Sequence, residues 1–276
     1  VIVRRNEPLA RHTAWRTGGA CDAFLLVPSV DDYFQAIEWC KAEELSPTVL
    51  GAGTRVVARD GGYSGAVLRL TGDFSKFELR SGLWEVGAAV PVAALSAATA
   101  AAGFTGLEDC CSHPGSFGAA LSLDSGPTAG WGAVVHTVQY VFRGKEKVST
   151  YEDFAAIKGR PVVFGATLRL EMASADAIQE RMLARWRGQA RVPVTPPSSW
   201  VLPPKKVSLR EVLDRAGLRD IRLRDVAIPG AAPEMLVNLG GGTARDLALL
   251  HQSALERTVR ECGVELQSRV TWWGRV

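Results

Sequence analysis

The chain has 276 residues, 47% of them hydrophobic and 22% charged, and 32 basic against 29 acidic side chains leave a formal net charge of +3. That apolar fraction excludes a disordered chain, and no run approaches the roughly 18 apolar residues of a membrane-spanning helix. The near balance of charge argues against a nucleic-acid binder and is compatible with an anionic small molecule.

In chain order, residues 23–27 form a short apolar run of strand type. Ser29 then opens S-x-x-D, with Asp32 in the capping-box position. This predicts a helix over residues 31–44 with Phe34, Ile37 and Cys40 on one face. Residues 47–50, 66–70 and 84–88 read as strands. Pro91 at its start and Gly103 just past its end bracket an alanine-rich helix. Residues 106–132 carry loop signals, 137–142 and 162–170 read as buried strands, and 144–147 as a hairpin turn. Arginines between Arg181 and Arg191 read as one solvated helix face. Five of the 14 prolines fall between Pro193 and Pro204, which predicts a linker or a binding loop. Ser208 and Glu211 cap a helix ending at Gly217, and residues 234–238 read as a strand. A long helix over 243–262 places Leu247, Leu250, Ala254 and Val259 on or near one face and stops at Gly263. Residues 264–270 form the last strand.

Five cysteines (Cys21, Cys40, Cys110, Cys111, Cys262) are irregularly spaced and contain no C-x-x-C. None of the four histidines (His12, His113, His136, His251) stands at i, i+4 from another, so no metal site is expected. Free thiols, and an opening VIVRRNEPLARHT without an apolar h-region, predict a cytoplasmic protein. Cys110 and Cys111 read as two small apolar residues rather than a redox pair.

Two glycine clusters carry the chemistry. Gly51-Ala52-Gly53-Thr54-Arg55 follows a strand directly. Glycines there let backbone N–H groups approach a diphosphate, and Thr54 adds a hydroxyl donor. The third glycine of a dinucleotide fingerprint is missing, since position 56 is valine, so an ordinary tight turn and a phosphate cradle both remain open. The second cluster is Ser112-His113-Pro114-Gly115-Ser116-Phe117-Gly118-Ala119-Ala120, which suits a loop held close to a ligand plane or a structural turn.

Taken with Arg16-Thr17-Gly18-Gly19 upstream, the stretches LGAGTRVVARDGGYSGAVLRL (50–70) and GLEDCCSHPGSFGAALSLDSG (106–126) resemble the UDP-N-acetylenolpyruvoylglucosamine reductases, flavoenzymes of peptidoglycan precursor synthesis. The resemblance spans nearly the whole chain in order. It implies an α+β flavoprotein of vanillyl-alcohol-oxidase type, in which FAD lies between two domains and a small α/β domain closes over the substrate. The corresponding boundaries are residues 1–70, 71–180 and 181–276. It assigns Gly51, Ala52, Gly53, Thr54 and Arg55 to the FAD diphosphate. Pro114, Gly115, Ser116, Gly118 and Ala120 line the flavin, with Gly126 close behind. Ala119, Arg55 and Asp124 depart from the family's glycine and two asparagines.

The family's catalytic set is only partly present. Ser199 matches its proton-donating serine. The arginine of its Y-R-x-S segment is absent from residues 151–158, and the glutamate of its closing L-x-x-E-V is Arg269. Guanidinium cannot act as an acid near neutral pH. Leu202 and Pro203 stand where a lysine and an asparagine contact the nucleotide sugar. These swaps predict a less polar pocket lined by Trp200, Leu202 and Met235, with Arg269 as a buried cation facing either a substrate acid or a protein carboxylate. His113 is the best-placed titratable group beside the flavin loop, as an acid or as a plain backbone hydrogen-bond partner. The expected function is an FAD-dependent oxidoreductase of specialised metabolism acting on a relatively apolar, acidic small molecule, with a nicotinamide electron donor. A non-redox cyclase or isomerase, and a non-catalytic binding protein, are the alternatives.

Overall fold

The computed structural model describes residues 1–123, 130–187, 199–204 and 207–275. Gly126 and residues 193–198 of the proline-rich stretch therefore lie outside the described residues. No helix among the described residues is long and apolar enough to cross a membrane.

The capping signals act locally and are met. Ser29 accepts the Asp32 N–H at 3.1 Å and starts the helix Val30–Ala42. Thr243 and Asp246 close a full capping box on the helix Ala244–Cys262, and Gly263 ends it in the left-handed conformation.

Several expectations need correction. The buried face of Val30–Ala42 is Tyr33, Ala36 and Cys40, with Phe34 and Ile37 half-buried. The Tyr33 ring meets Phe164 edge-on at 5.0 Å, which turns that side of the helix inward. The expected loop 106–132 contains the helix Phe117–Leu123, too short to display a helical period. The hairpin turn is Arg143 and Gly144, with φ of 54° and 75°. Lys145–Thr150 pairs with Val135–Phe142 from Lys145 opposite Phe142, so residues 145–147 are strand. Val259 is 50% exposed, and His251 and Thr258 join Leu247, Leu250 and Ala254 on the buried face. Of residues 234–238, Val237–Asn238 alone is strand. The closing strand is two. Gln267–Ser268 runs antiparallel to Val201–Leu202, and Thr271–Trp273 runs parallel to Val56–Ala58. A strand that changes partner leaves no mark in its own pattern.

The chain begins with a four-stranded sheet in the order Ile2–Pro8, Ala20–Val27, Tyr63–Leu70, Pro47–Val49. The chain divides into two compact units. The first comprises Val1–Val3, Phe24–Ala52 and Ala66–Gln189. It holds a five-stranded antiparallel sheet ordered Lys145–Thr150, Val135–Phe142, Val162–Leu168, Leu83–Gly87, Phe77–Arg80. A bulge at Phe164 sends that ring inward against Tyr33 and Phe74. The second comprises Arg4–Ala23, Gly53–Gly65 and Ala190–Val276. Its core gathers Trp15, Val57, Trp200, Leu213, Ile228, Leu236, Leu247 and Leu250. The Trp15 indole donates to the Leu236 carbonyl at 2.7 Å, and Asp60 accepts the Ala244 and Arg245 N–H groups at the start of the long helix.

Candidate functional site

In the first unit the loop 113–118 is laid against the turn after Leu83–Gly87. Phe117 and Gly118 N–H groups donate to Val90 and Ala88 at 2.8 Å, and Val92 N–H donates to Gly115 at 3.0 Å. His113 accepts the Gly115 N–H on Nδ1 at 3.0 Å, which folds the loop on itself. Upstream, Glu108 accepts from Thr105 Oγ1 at 2.5 Å and from the Gly106 N–H at 2.7 Å, with Arg181 at 3.4 Å. Burial pushes this carboxyl up, and those hydrogen bonds and the guanidinium outweigh it, so it stays below the usual range. The Cys110 thiol is pushed up to about 11 by burial, beside Asp109, and remains protonated near neutral pH.

The two glycine clusters meet at Gly51. A Cβ there would lie 2.5 Å from Ser116 Oγ and 3.0 Å from Ala119 Cβ, so no side chain fits without displacing the second loop. Gly53, in the second unit, has φ +69°, and a Cβ there would lie 2.2 Å from the His12 carbonyl oxygen. Its own carbonyl accepts the Ala14 N–H at 3.1 Å. Beside it, Thr13 is 7% exposed and its Oγ1 has no hydrogen-bond partner among the described residues. A buried hydroxyl left unpaired costs about 1–3 kcal/mol unless a ligand takes it. Within the second unit, a turn kept free of a side chain at Gly53 with the unused Thr13 hydroxyl beside it is compatible with a diphosphate-bearing cofactor. Gly53→Ala is expected to weaken FAD binding by about tenfold, because a Cβ would collide with the His12 carbonyl and force the turn out of its binding geometry, read by flavin fluorescence titration. Unchanged affinity would remove this turn from the cofactor site.

The proposed substrate side lies within the second unit. Ser199 donates to the Val201 carbonyl at 2.9 Å, and the Arg269 N–H donates to the Trp200 carbonyl at 2.9 Å. Val201 stands opposite Ser268, so the segments carrying Ser199 and Arg269 are strand neighbours. Arg269 is half-buried rather than fully buried. Trp200 is not a pocket wall. It is 0% exposed in the hydrophobic core, and its indole donates to the Pro233 carbonyl at 3.0 Å. Leu202 is 40% exposed, and Met235 is half-buried in the turn that follows Ala232.

His251, to which sequence spacing gives no role, is buried in the second unit. Its Nε2 meets Ser268 Oγ at 2.9 Å, and its ring sits edge-on to Trp200 and Trp272 at 5.4 and 5.6 Å. Burial pushes it down to about 4. The available signal was a histidine four residues after Leu247 on the apolar face of the long helix.

The FAD-binding domain family matches residues 21–145. A UDP-N-acetylenolpyruvoylglucosamine reductase of Rubrobacter xylanophilus is 31% identical over 280 residues, covering 96% of this chain and 93% of the relative. One of Geobacter metallireducens is 30% identical, covering 97% and 93%. Among solved structures, UDP-N-acetylenolpyruvylglucosamine reductase from Thermus caldophilus superposes with a TM-score of 0.81 at 23% identity, covering 99% of this chain and all of that one.

The FAD-binding domain match over residues 21–145 and the glycine loops define an FAD-dependent flavoprotein. Gly51, Gly53 and the unpaired Thr13 hydroxyl are compatible with its cofactor. The chain belongs to the UDP-N-acetylenolpyruvoylglucosamine reductase family.

Full-length similarity to these reductases overturns the expected role in specialised metabolism, and with it the cyclase and the non-catalytic alternatives.

Proposed function

We propose that this chain reduces UDP-N-acetylenolpyruvoylglucosamine, the compound named in its relatives, with a nicotinamide cofactor as electron donor. The pairing of the Ser199 and Arg269 segments on neighbouring strands carries this reading, and the relatives' full-length similarity supports it. Gly51, Ala52, Gly53, Thr54 and Arg55 hold the diphosphate of FAD, and Pro114, Gly115, Ser116, Gly118 and Ala120 line its ring system. Bound FAD supplies the hydride.

The enolpyruvoyl group is a carboxylic acid attached to a carbon–carbon double bond. One carbon receives hydride and the other a proton. Ser199 Oγ–H delivers the proton, and the Val201 carbonyl orients that hydroxyl beforehand. Arg269, between the strands Gln267–Ser268 and Thr271–Trp273, takes the substrate carboxylate in place of the arginine absent from residues 151–158. His113 holds the flavin loop through Gly115 instead of transferring a proton. Leu202 and Met235 contact the sugar side of the substrate.

Anaerobic titration with a nicotinamide cofactor is expected to bleach the flavin absorbance of the loaded protein. Adding UDP-N-acetylenolpyruvoylglucosamine then restores it, one equivalent per flavin. A flavin that reduces but is not reoxidised by this compound overturns the substrate assignment.

A further inference from the structure

We infer that His12 and Glu7 form a positioning pair for the FAD diphosphate turn: their side-chain hydrogen bond fixes the backbone that shapes the turn at Gly53. The two residues flank the single 3-10 turn Leu9–Arg11. His12 Nε2 lies 2.9 Å from Glu7 Oε1, both side chains are nearly buried, and His12 N–H donates to the Leu9 carbonyl at 2.9 Å. The turn is pinned from outside as well. Leu9 N–H donates to Gly19 at 3.1 Å, and the Cys21 thiol donates to the Glu7 carbonyl at 3.5 Å.

The His12 carbonyl of this pinned turn lies against the side of Gly53 that a Cβ would fill. The next residue is Thr13, whose buried hydroxyl has no partner among the described residues, and the one after is Ala14, whose N–H binds the Gly53 carbonyl. The pair therefore sets three consecutive backbone units against the turn. The His12 hydrogen bond, first among several causes, keeps the Glu7 carboxyl below its ordinary range, so Glu7 accepts and His12 Nε2 donates. Arg4 and Arg11 approach the same oxygen only to 3.9 Å, too far to replace that hydrogen bond.

The inference rests on the assignment of residues 51–55 to the diphosphate, and the test separates the two. FAD dissociation constants are measured on apo-protein by flavin fluorescence, with thermal melting of each apo-variant alongside. His12→Ala is expected to raise the constant about tenfold or more, while His12→Gln, which keeps an N–H donor for Glu7, stays within about threefold of the parent. Glu7→Ala on its own matches His12→Ala, and combining the two adds little. Should His12→Ala fail to fold, His12→Met, which keeps bulk and loses the donor, is compared with His12→Gln by the same ratio. Affinity that ignores the donor, with alanine or methionine binding as glutamine does, overturns the inference. If Gly53→Ala also leaves affinity unchanged, the diphosphate assignment fails first. If Gly53→Ala weakens FAD and the donor does not matter, the positioning pair alone fails.

Discussion

Ser199→Ala is expected to lower kcat by about 10²–10⁴-fold, the usual contribution of a positioned proton donor, with KM and FAD content close to those of the parent. The side chain is small and half-buried, and among the described residues its hydroxyl donates to the Val201 carbonyl. That carbonyl belongs to a strand whose register with Gln267–Ser268 is held by backbone pairing, so the methyl group of alanine leaves the framework in place. Arg269 offers the complementary readout. Arg269→Ala removes the cation proposed for the substrate carboxylate and raises KM more than it lowers kcat. Arg269→Glu restores the residue of the family pattern. It weakens kcat/KM below that of Arg269→Ala if the guanidinium meets the carboxylate, because like charges then face each other. A glutamate variant more active than the parent, or a Ser199→Ala protein within about tenfold of parental kcat, would remove these roles.

The legible features of this chain were the ones decided by neighbours in sequence. Ser29 with Asp32, Ser208 with Glu211 and Thr243 with Asp246 are three-residue contacts, and all three caps form. The glycine clusters are legible as turns, and their shared assignment to FAD comes from the family resemblance, while their meeting at Gly51 is visible only in the fold. What stayed hidden depends on chain partners far away. The sequence places Trp200 in a pocket because it stands beside Ser199 in the loop that resembles the family's substrate-contacting segment. In the fold it is a member of the hydrophobic core with Leu213, Leu236 and Leu250, and its N–H donates to the Pro233 carbonyl. Glu7 and His12 are five residues apart, yet nothing in their surroundings announces that His12 faces Gly53. The exchanges at residues 151–158, 202, 203 and 269 are visible in the sequence, but a few side chains do not outweigh a family pattern that runs along the whole chain.

Between pH 7 and pH 5 the folded state is expected to lose about 2 kcal/mol because of His251, approaching about 3 kcal/mol near pH 4. The ring is 7% exposed, wedged edge-on between Trp200 and Trp272, and bonded to Ser268 Oγ, which also accepts the Val270 N–H. Burial there disfavours the imidazolium and brings the group from its ordinary 6.5 down to about 4. The sign follows from which state binds the proton first. Above pH 6.5 both states hold a neutral ring and nothing is lost. From 6.5 down to about 4 the unfolded chain protonates while the folded one does not, so unfolding is favoured progressively, and below 4 the loss levels off. Carboxylates held low in the fold, Glu7, Glu108 and Asp246, act later, since their unfolded forms protonate only near 4.5 and 3.8. Urea unfolding of the parent and of His251→Gln at pH 7, 6 and 5 separates the contributions. Glutamine keeps a hydrogen-bonding group for Ser268 and does not titrate, so its midpoint is expected to stay nearly flat over this range while the parent's falls. An equal fall in both proteins would assign the acid sensitivity elsewhere. Because the same ring braces the strand that leads into Arg269, the acid limb of turnover is expected to follow the parent's unfolding limb and to move with it in the variant.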